Sequence, residues 1–256
     1  MLIAALGSSF AAGPTLEPVA DRAAMRSAQN YPHRLAAALG ADLVDLTVSG
    51  ATTSTILDVP QVIASAVRFP PQIDGLPVDA DLVTITAGGN DLRYIGSMLA
   101  IAWRRHDPAA ALTAMLGPPY PEIPAPDDET VDELAGLLAR IVDEVRRRAR
   151  RARVVLVDYL TVLDPDSRSA LVDFADTELA ALRALQAALE RACRRAADRA
   201  GADLVAASGL SRGHGLGSAD PWVNDFIPEA RRTAGSFHPN AAGMAAVTDA
   251  LLALLR

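Results

Sequence analysis

The chain has 256 residues, half of them hydrophobic, and its 31 acidic side chains outnumber 24 basic ones for a net charge of −7. That length suits one large α/β domain with a sizeable core, and the negative balance argues against nucleic-acid or anionic-membrane partners. Every basic residue is an arginine and Cys193 is the single cysteine, which excludes Schiff-base and phosphate-loop lysines, an intrachain disulfide and a CxxC metal site.

Short apolar runs alternate with longer amphipathic stretches, the pattern of βαβ units and a parallel sheet. Leu2 to Leu6 predicts the first strand, ended by Gly7. Tyr31 to Leu39 predicts a helix closed by Gly40, and Asp42 to Val48 alternates with period two as the second strand. Leu82 to Thr86 is the third strand, Val154 to Val157 the fourth and Leu204 to Ala206 a fifth. Asp128 to Arg150 carries apolar residues at helical spacing, with acids at its start and arginines at its end, as the helix dipole favours. Thr177 to Ala200 and Ala241 to Leu255 read as two further helices. Gly117 to Pro126 holds five prolines in ten residues and cannot be regular structure; with the stretch from Tyr94 it is expected to border a ligand cleft. Gly209 to Ala234 reads as a long polar loop. No repeat or linker divides the chain, so a single domain over 1–256 is expected.

The opening run from Met1 to Gly7 has no positive charge and is too short for a secretory or membrane segment. A cytoplasmic protein without stable membrane anchoring is the expectation, secreted if a leader has been removed. The arginine-rich run Arg146 to Arg153 reads as a solvated helix end rather than a nucleic-acid patch.

Four short segments carry chemistry. Gly7-Ser8-Ser9-Phe10-Ala11-Ala12-Gly13 follows the first strand, where open α/β sheets bind ligands. Ser49-Gly50 follows the second and presents a backbone N–H that no side chain shields. Gly88-Gly89-Asn90-Asp91 follows the third and offers the Asn90 amide, although it also suits an ordinary turn. Ser236-Phe237-His238-Pro239-Asn240 enters the last helix, with Asn240 as N-cap and His238 as the best-placed base among His33, His106, His214 and His238. His33 and His106 read as surface residues, and His214 as a candidate for the cleft. None of the four has metal-ligand spacing.

In this order the segments resemble the blocks of the SGNH (GDSL-type) hydrolases, and the chain is similar to actinobacterial lipase and esterase members. Gly-Ser-Ser-Phe-Ala-Ala-Gly stands for GDSxxxG, and Ser9, Gly50, Asn90 and His238 for the residues that name the family. The resemblance runs from residue 6 to about residue 245. It implies a flavodoxin-like α/β/α domain with five parallel strands in order 2-1-3-4-5. It implies hydrolysis of a small-molecule carboxylic ester without metal or cofactor: Ser9 as nucleophile, His238 as base, and the Ser9 and Gly50 N–H groups with the Asn90 amide as oxyanion hole. Acyl length, alcohol and oligomeric state are not readable. A carbohydrate deacetylase, a lysophospholipase and a non-catalytic module that keeps the pocket are the alternatives; a nucleotide-binding protein is disfavoured because no GxGxxG opens the first helix.

Two departures stand out. Ser8 replaces the aspartate of the GDS triplet, and Gly235 stands where the family's DxxH motif has its aspartate. A main-chain carbonyl of Gly235 or Ser236 is therefore expected to orient His238, with Asp220 and Asp225 as rival carboxylates. Gly217 stands where secreted relatives tend to carry a cysteine, in keeping with a reducing compartment.

Overall fold

Residues 1–63, 67–109 and 123–256 are described in a computed structural model. In chain order they form β1 (Leu2–Gly7), α1 (Ser9–Ala12), β2 (Val19–Asp21), β3 (Arg26–Ser27), α2 (Tyr31–Leu39), β4 (Asp42–Asp45) and α3 (Thr53–Leu57). There follow β5 (Gln61–Ile63), β6 (Val67–Phe69), a 3₁₀ turn (Gln72–Gly75), β7 (Leu82–Thr86), α4 (Tyr94–His106) and α5 (Asp128–Arg148). The rest is β8 (Arg153–Val157), α6 (Asp176–Ala200), β9 (Asp203–Val205), α7 (Ala207–Leu210), a 3₁₀ turn (Thr233–Gly235) and α8 (Ala241–Leu255).

Five strands make one parallel sheet in the order β4-β1-β7-β8-β9, which is the expected order 2-1-3-4-5 once only its own strands are numbered. The central strands are buried on both faces, with Ile3, Leu6, Val83, Ile85, Val155 and Leu156 inside, as parallel sheets require. One layer pairs α2 with α8 and the other pairs α5 with α6. Ile3 pairs with Leu82 and Gly7 with Thr86, so β1 and β7 end side by side.

The helix ends follow local chemistry. Asn30 caps α2 by accepting from the His33 N–H at 3.0 Å, and Gly40 takes the left-handed conformation at its other end. Asp127 caps α5, whose last turn carries Arg146, Arg147 and Arg148. Much of that arginine run is spent on protein: Arg146 donates to the carbonyls of Ala200 and Gly201, Arg148 pairs with Glu144 and Asp74, and Arg153 with Asp203. No described helix is long and apolar enough to cross a membrane.

Several expectations need correction. The second strand stops at Asp45 because its carboxylate accepts from the Thr47 N–H at 3.0 Å and hydroxyl at 2.6 Å, turning the chain. His33 is half-buried, with Nδ1 at 2.8 Å from Asn30 Oδ1 and 3.3 Å from Asp45. The stretch from Tyr94 is a regular helix, α4, in which Tyr94 is fully buried and donates to Gln186 Oε1 at 2.7 Å. The loop from Gly209 to Ala234 includes the end of α7 and the start of a 3₁₀ turn. Most of Gly117 to Pro126 lies outside the described residues.

Candidate active site

The carboxyl ends of β1, β4 and β7, with the loop before α8, bring the four segments together. Gly7 leaves β1 with φ +151°, and a Cβ there would stand 2.5 Å from the Thr86 carbonyl oxygen. The buried Gln72 amide accepts from the Gly7 N–H at 2.7 Å and donates to its carbonyl at 2.9 Å, fixing the peptide that precedes the serines. Ser8 N–H donates to the Thr86 carbonyl at 2.9 Å. Its hydroxyl bonds the Tyr159 hydroxyl at 2.8 Å, and that hydroxyl accepts from the Gly89 N–H at 3.1 Å. The first turn of α1 then begins at Ser9.

Ser9 Oγ lies 2.7 Å from His238 Nε2, and His238 Nδ1 lies 2.8 Å from the Ser236 carbonyl oxygen. A carbonyl only accepts, so Nδ1 carries the proton and Nε2 is free to accept from the serine hydroxyl. The backbone between them is strained to make this contact: Phe237 sits at φ +60°, held by burial against Phe174 and Phe226. Burial pushes the His238 pKa down to about 4, against a smaller upward pull from the Ser236 carbonyl. The imidazole also packs against Phe10, ring centres 5.2 Å apart.

Gly50 occupies a turn closed by the Ala51 N–H to the Val48 carbonyl, at φ +83°, where a side chain is strained. Among the described residues the N–H groups of Ser9 and Gly50 meet no protein acceptor. Asn90 donates one amide hydrogen to the Ala51 carbonyl at 2.8 Å, which aims the amide and leaves its second hydrogen. Asp91 grips the same neighbouring loop, accepting from the Thr53 hydroxyl at 2.6 Å and N–H at 3.1 Å. The Gly88–Asp91 turn thus serves the Gly50 loop as well as itself.

The rival carboxylates are occupied elsewhere. Asp225 accepts from the Ser169 hydroxyl at 2.5 Å and the Ala170 N–H at 2.8 Å. Asp220 is exposed, its carboxylate 3.3 Å from His214. His214 stacks on Trp222 at 3.9 Å between ring centres. His106 is exposed and meets Trp103 and Phe226 edge-on. Gly235 directs its carbonyl to the Asn224 amide at 3.1 Å and the His238 N–H at 3.3 Å. The space that a side chain at 235 would enter is filled by Thr15, whose Oγ1 lies 2.0 Å from the ideal Cβ position. Among the described residues no group of acidic, histidine or cysteine side chains is arranged to hold a metal.

Gln72, Tyr159 and Thr15 carry no signal in the sequence, and Asp91 reads there only as part of the Gly88–Asp91 turn. Gln72 and Tyr159 act on residues 65 and 151 positions away, so no local signal announces them.

The model of the GDSL-like lipase/acylhydrolase family matches residues 5–246. The chain is 34% identical over 252 residues to Lipase 2 of Streptomyces coelicolor, covering 93% of this chain and 80% of that one. Its fold is similar to that of an extracellular lipase from Streptomyces rimosus, with TM-score 0.75 and 21% identity over 99% of both chains. It is also similar to a phospholipase A1 from Streptomyces albidoflavus, with TM-score 0.74 and 23% identity over 98% of both. The chain belongs to the GDSL-like lipase/acylhydrolase family and is a carboxylic ester hydrolase.

Proposed function

We propose that the chain, acting as one SGNH-type domain, hydrolyses carboxylic esters through an acyl-enzyme on Ser9, driven by a Ser9–His238 dyad. The observation that carries this reading is the relay from Ser236 carbonyl to His238 Nδ1–H and from Nε2 to Ser9 Oγ. His238 takes the hydroxyl proton as Oγ attacks the ester carbonyl, and returns it to the departing alcohol. The Ser9 and Gly50 N–H groups and the free Asn90 amide hydrogen stabilise the oxyanion. Water then attacks the acyl-enzyme, with His238 again as base. A neutral carbonyl replaces the usual aspartate as orienter, and the low pKa of His238 keeps the base unprotonated at neutral pH.

Turnover of p-nitrophenyl esters of graded chain length, with labelling by an organophosphonate ester, tests the reading. Labelling should fall on Ser9 and vanish with turnover in Ser9→Ala, while Ser8→Ala keeps the label. Asp220→Asn and Asp225→Asn should leave most activity. A loss on the order of 10⁴ in kcat from either would restore a displaced acid.

A further inference from the structure

A cleft of about 400 Å³ lies between residues 14–26 and 231–234, and its charged lining is Arg22, Arg26, Arg231, Arg232 and Glu17. Four arginines and one glutamate line it, in a molecule whose net charge is −7. Two of them are engaged: Arg26 donates to the Thr47 carbonyl at 2.8 Å and lies 3.5 Å from Asp45, and Arg232 has Glu229 at 3.6 Å. Arg22 and Arg231 are exposed and have no ion-pair or hydrogen-bonding side-chain partner among the described residues. Glu17 is turned to its own backbone, accepting from the Val19 N–H at 3.1 Å.

The segments that line the cleft are linked to the site at three places. Its first wall continues from the α1 helix that begins at Ser9. Its second wall leads, through Gly235, into Ser236 and His238, and Thr15 bridges the two walls against Gly235. The Gly50 loop is tied to it as well, since Ser49 donates to the carbonyls of Ala24 at 3.0 Å and Met25 at 3.3 Å.

We propose that this cleft binds a phosphate group carried by the alcohol part of the substrate ester. Guanidinium forks match a phosphate's oxygens, and two uncommitted ones across a cleft are a poor lining for an acyl chain. The alcohol side follows from the chemistry: the leaving oxygen must come within proton-transfer reach of His238 Nε2, and residues 231–234 lead into the loop that holds this base. The catalytic half of the proposal rests on the hydrolase reading above; the binding half does not.

The test compares a 1-acylglycerol with its 3-phosphate, as a monomeric hexanoyl pair and an aggregated palmitoyl pair. Wild type should prefer the phosphate. Arg22→Glu and Arg231→Glu should each lower its kcat/KM about tenfold, mainly through KM, and leave the neutral ester within about twofold. Preference in the hexanoyl pair supports a soluble phosphate ester, and preference in the palmitoyl pair alone supports a lipid headgroup. Equal rates for both members of both pairs, or parallel losses on neutral and phosphate esters, overturn the proposal. Calorimetry with glycerol 3-phosphate on Ser9→Ala separates the two readings. Binding lost on adding Arg22→Glu supports the cleft even if no ester turns over, and binding indifferent to both arginines sinks it.

Discussion

Tyr159 joins two strand ends that the reaction needs at a fixed separation. Its hydroxyl bonds Ser8, next to the nucleophile, and accepts from Gly89, next to Asn90. The ring packs at a tilt against Phe10 with centres 4.4 Å apart, and Phe10 in turn backs His238. Gly89 must lack a side chain, because a Cβ there would stand 2.6 Å from the Tyr159 ring. Tyr159→Phe leaves the packing but orphans a buried N–H. Its expected signature is a fall in kcat of about tenfold with KM and the acid limb of the pH profile unmoved, since the hydroxyl touches neither substrate nor His238. A change in KM alone would make Tyr159 part of substrate binding instead. For Asn90→Ala the expected loss is larger, about 10²–10³ in kcat, the usual cost of one oxyanion donor, measured with a short p-nitrophenyl ester.

At the scale of elements, the loop before α8 and the segment after α1 have adapted to each other. Thr15 sits at φ +67°, a conformation that costs a residue with a Cβ, and its side chain takes the volume beside Gly235. Simply restoring the family aspartate should therefore fail. Gly235→Asp is expected to cost about 1–3 kcal/mol through overpacking and to lower Tm by several degrees without raising kcat. Gly235→Asp with Thr15→Gly should recover most of that Tm, since glycine relieves both the clash and the positive φ. A single variant as stable as wild type would show that the two segments are not coupled. The vacancy at 235 was readable from sequence because the DxxH spacing is local; its occupant was not, because Thr15 lies far away in the chain. The same contrast runs through the fold. β1, β7 and β8 announced themselves as compact apolar runs and α5 by its stripe of apolar residues. α4 escaped because Tyr94, Ile95, Met98, Ala100, Ile101, Ala102 and Trp103 are all buried, leaving no polar face to set a period, and because Arg93 precedes it with no side-chain capping bond. The hairpin of β2 and β3 is too short to show alternation.

For the whole molecule, two buried groups titrate against each other. His238 falls to about 4 from an ordinary 6.5 through burial. Asp158, at the end of β8, rises to about 6 through burial, with Glu190 adding to the rise and Ser208 opposing it through hydrogen bonds at 2.6 and 2.8 Å. The unfolded chain takes up the histidine proton before the folded one does, so the His238 contribution to stability is lost as pH falls from about 6.5 to 4. The folded chain keeps the Asp158 proton longer, so that contribution is lost in the other direction, as pH rises from about 4 to 6. Each amounts to about 3 kcal/mol at its limit, and over the shared window they offset. Glu190, also raised by burial, reinforces the Asp158 side. The expected outcome is a Tm that changes little between pH 6 and 4.5 in wild type. Asp158→Asn, which can keep the Ser208 hydrogen bonds, should make Tm fall on acidification over that range. His238→Gln should instead make it rise. Activity reads the histidine alone: the acid limb of kcat/KM, which reports the free enzyme, should lie near pH 4 in both wild type and Asp158→Asn. An acid limb near 6.5 would mean that His238 is solvated in the working enzyme, and the opposed titration would fail with it.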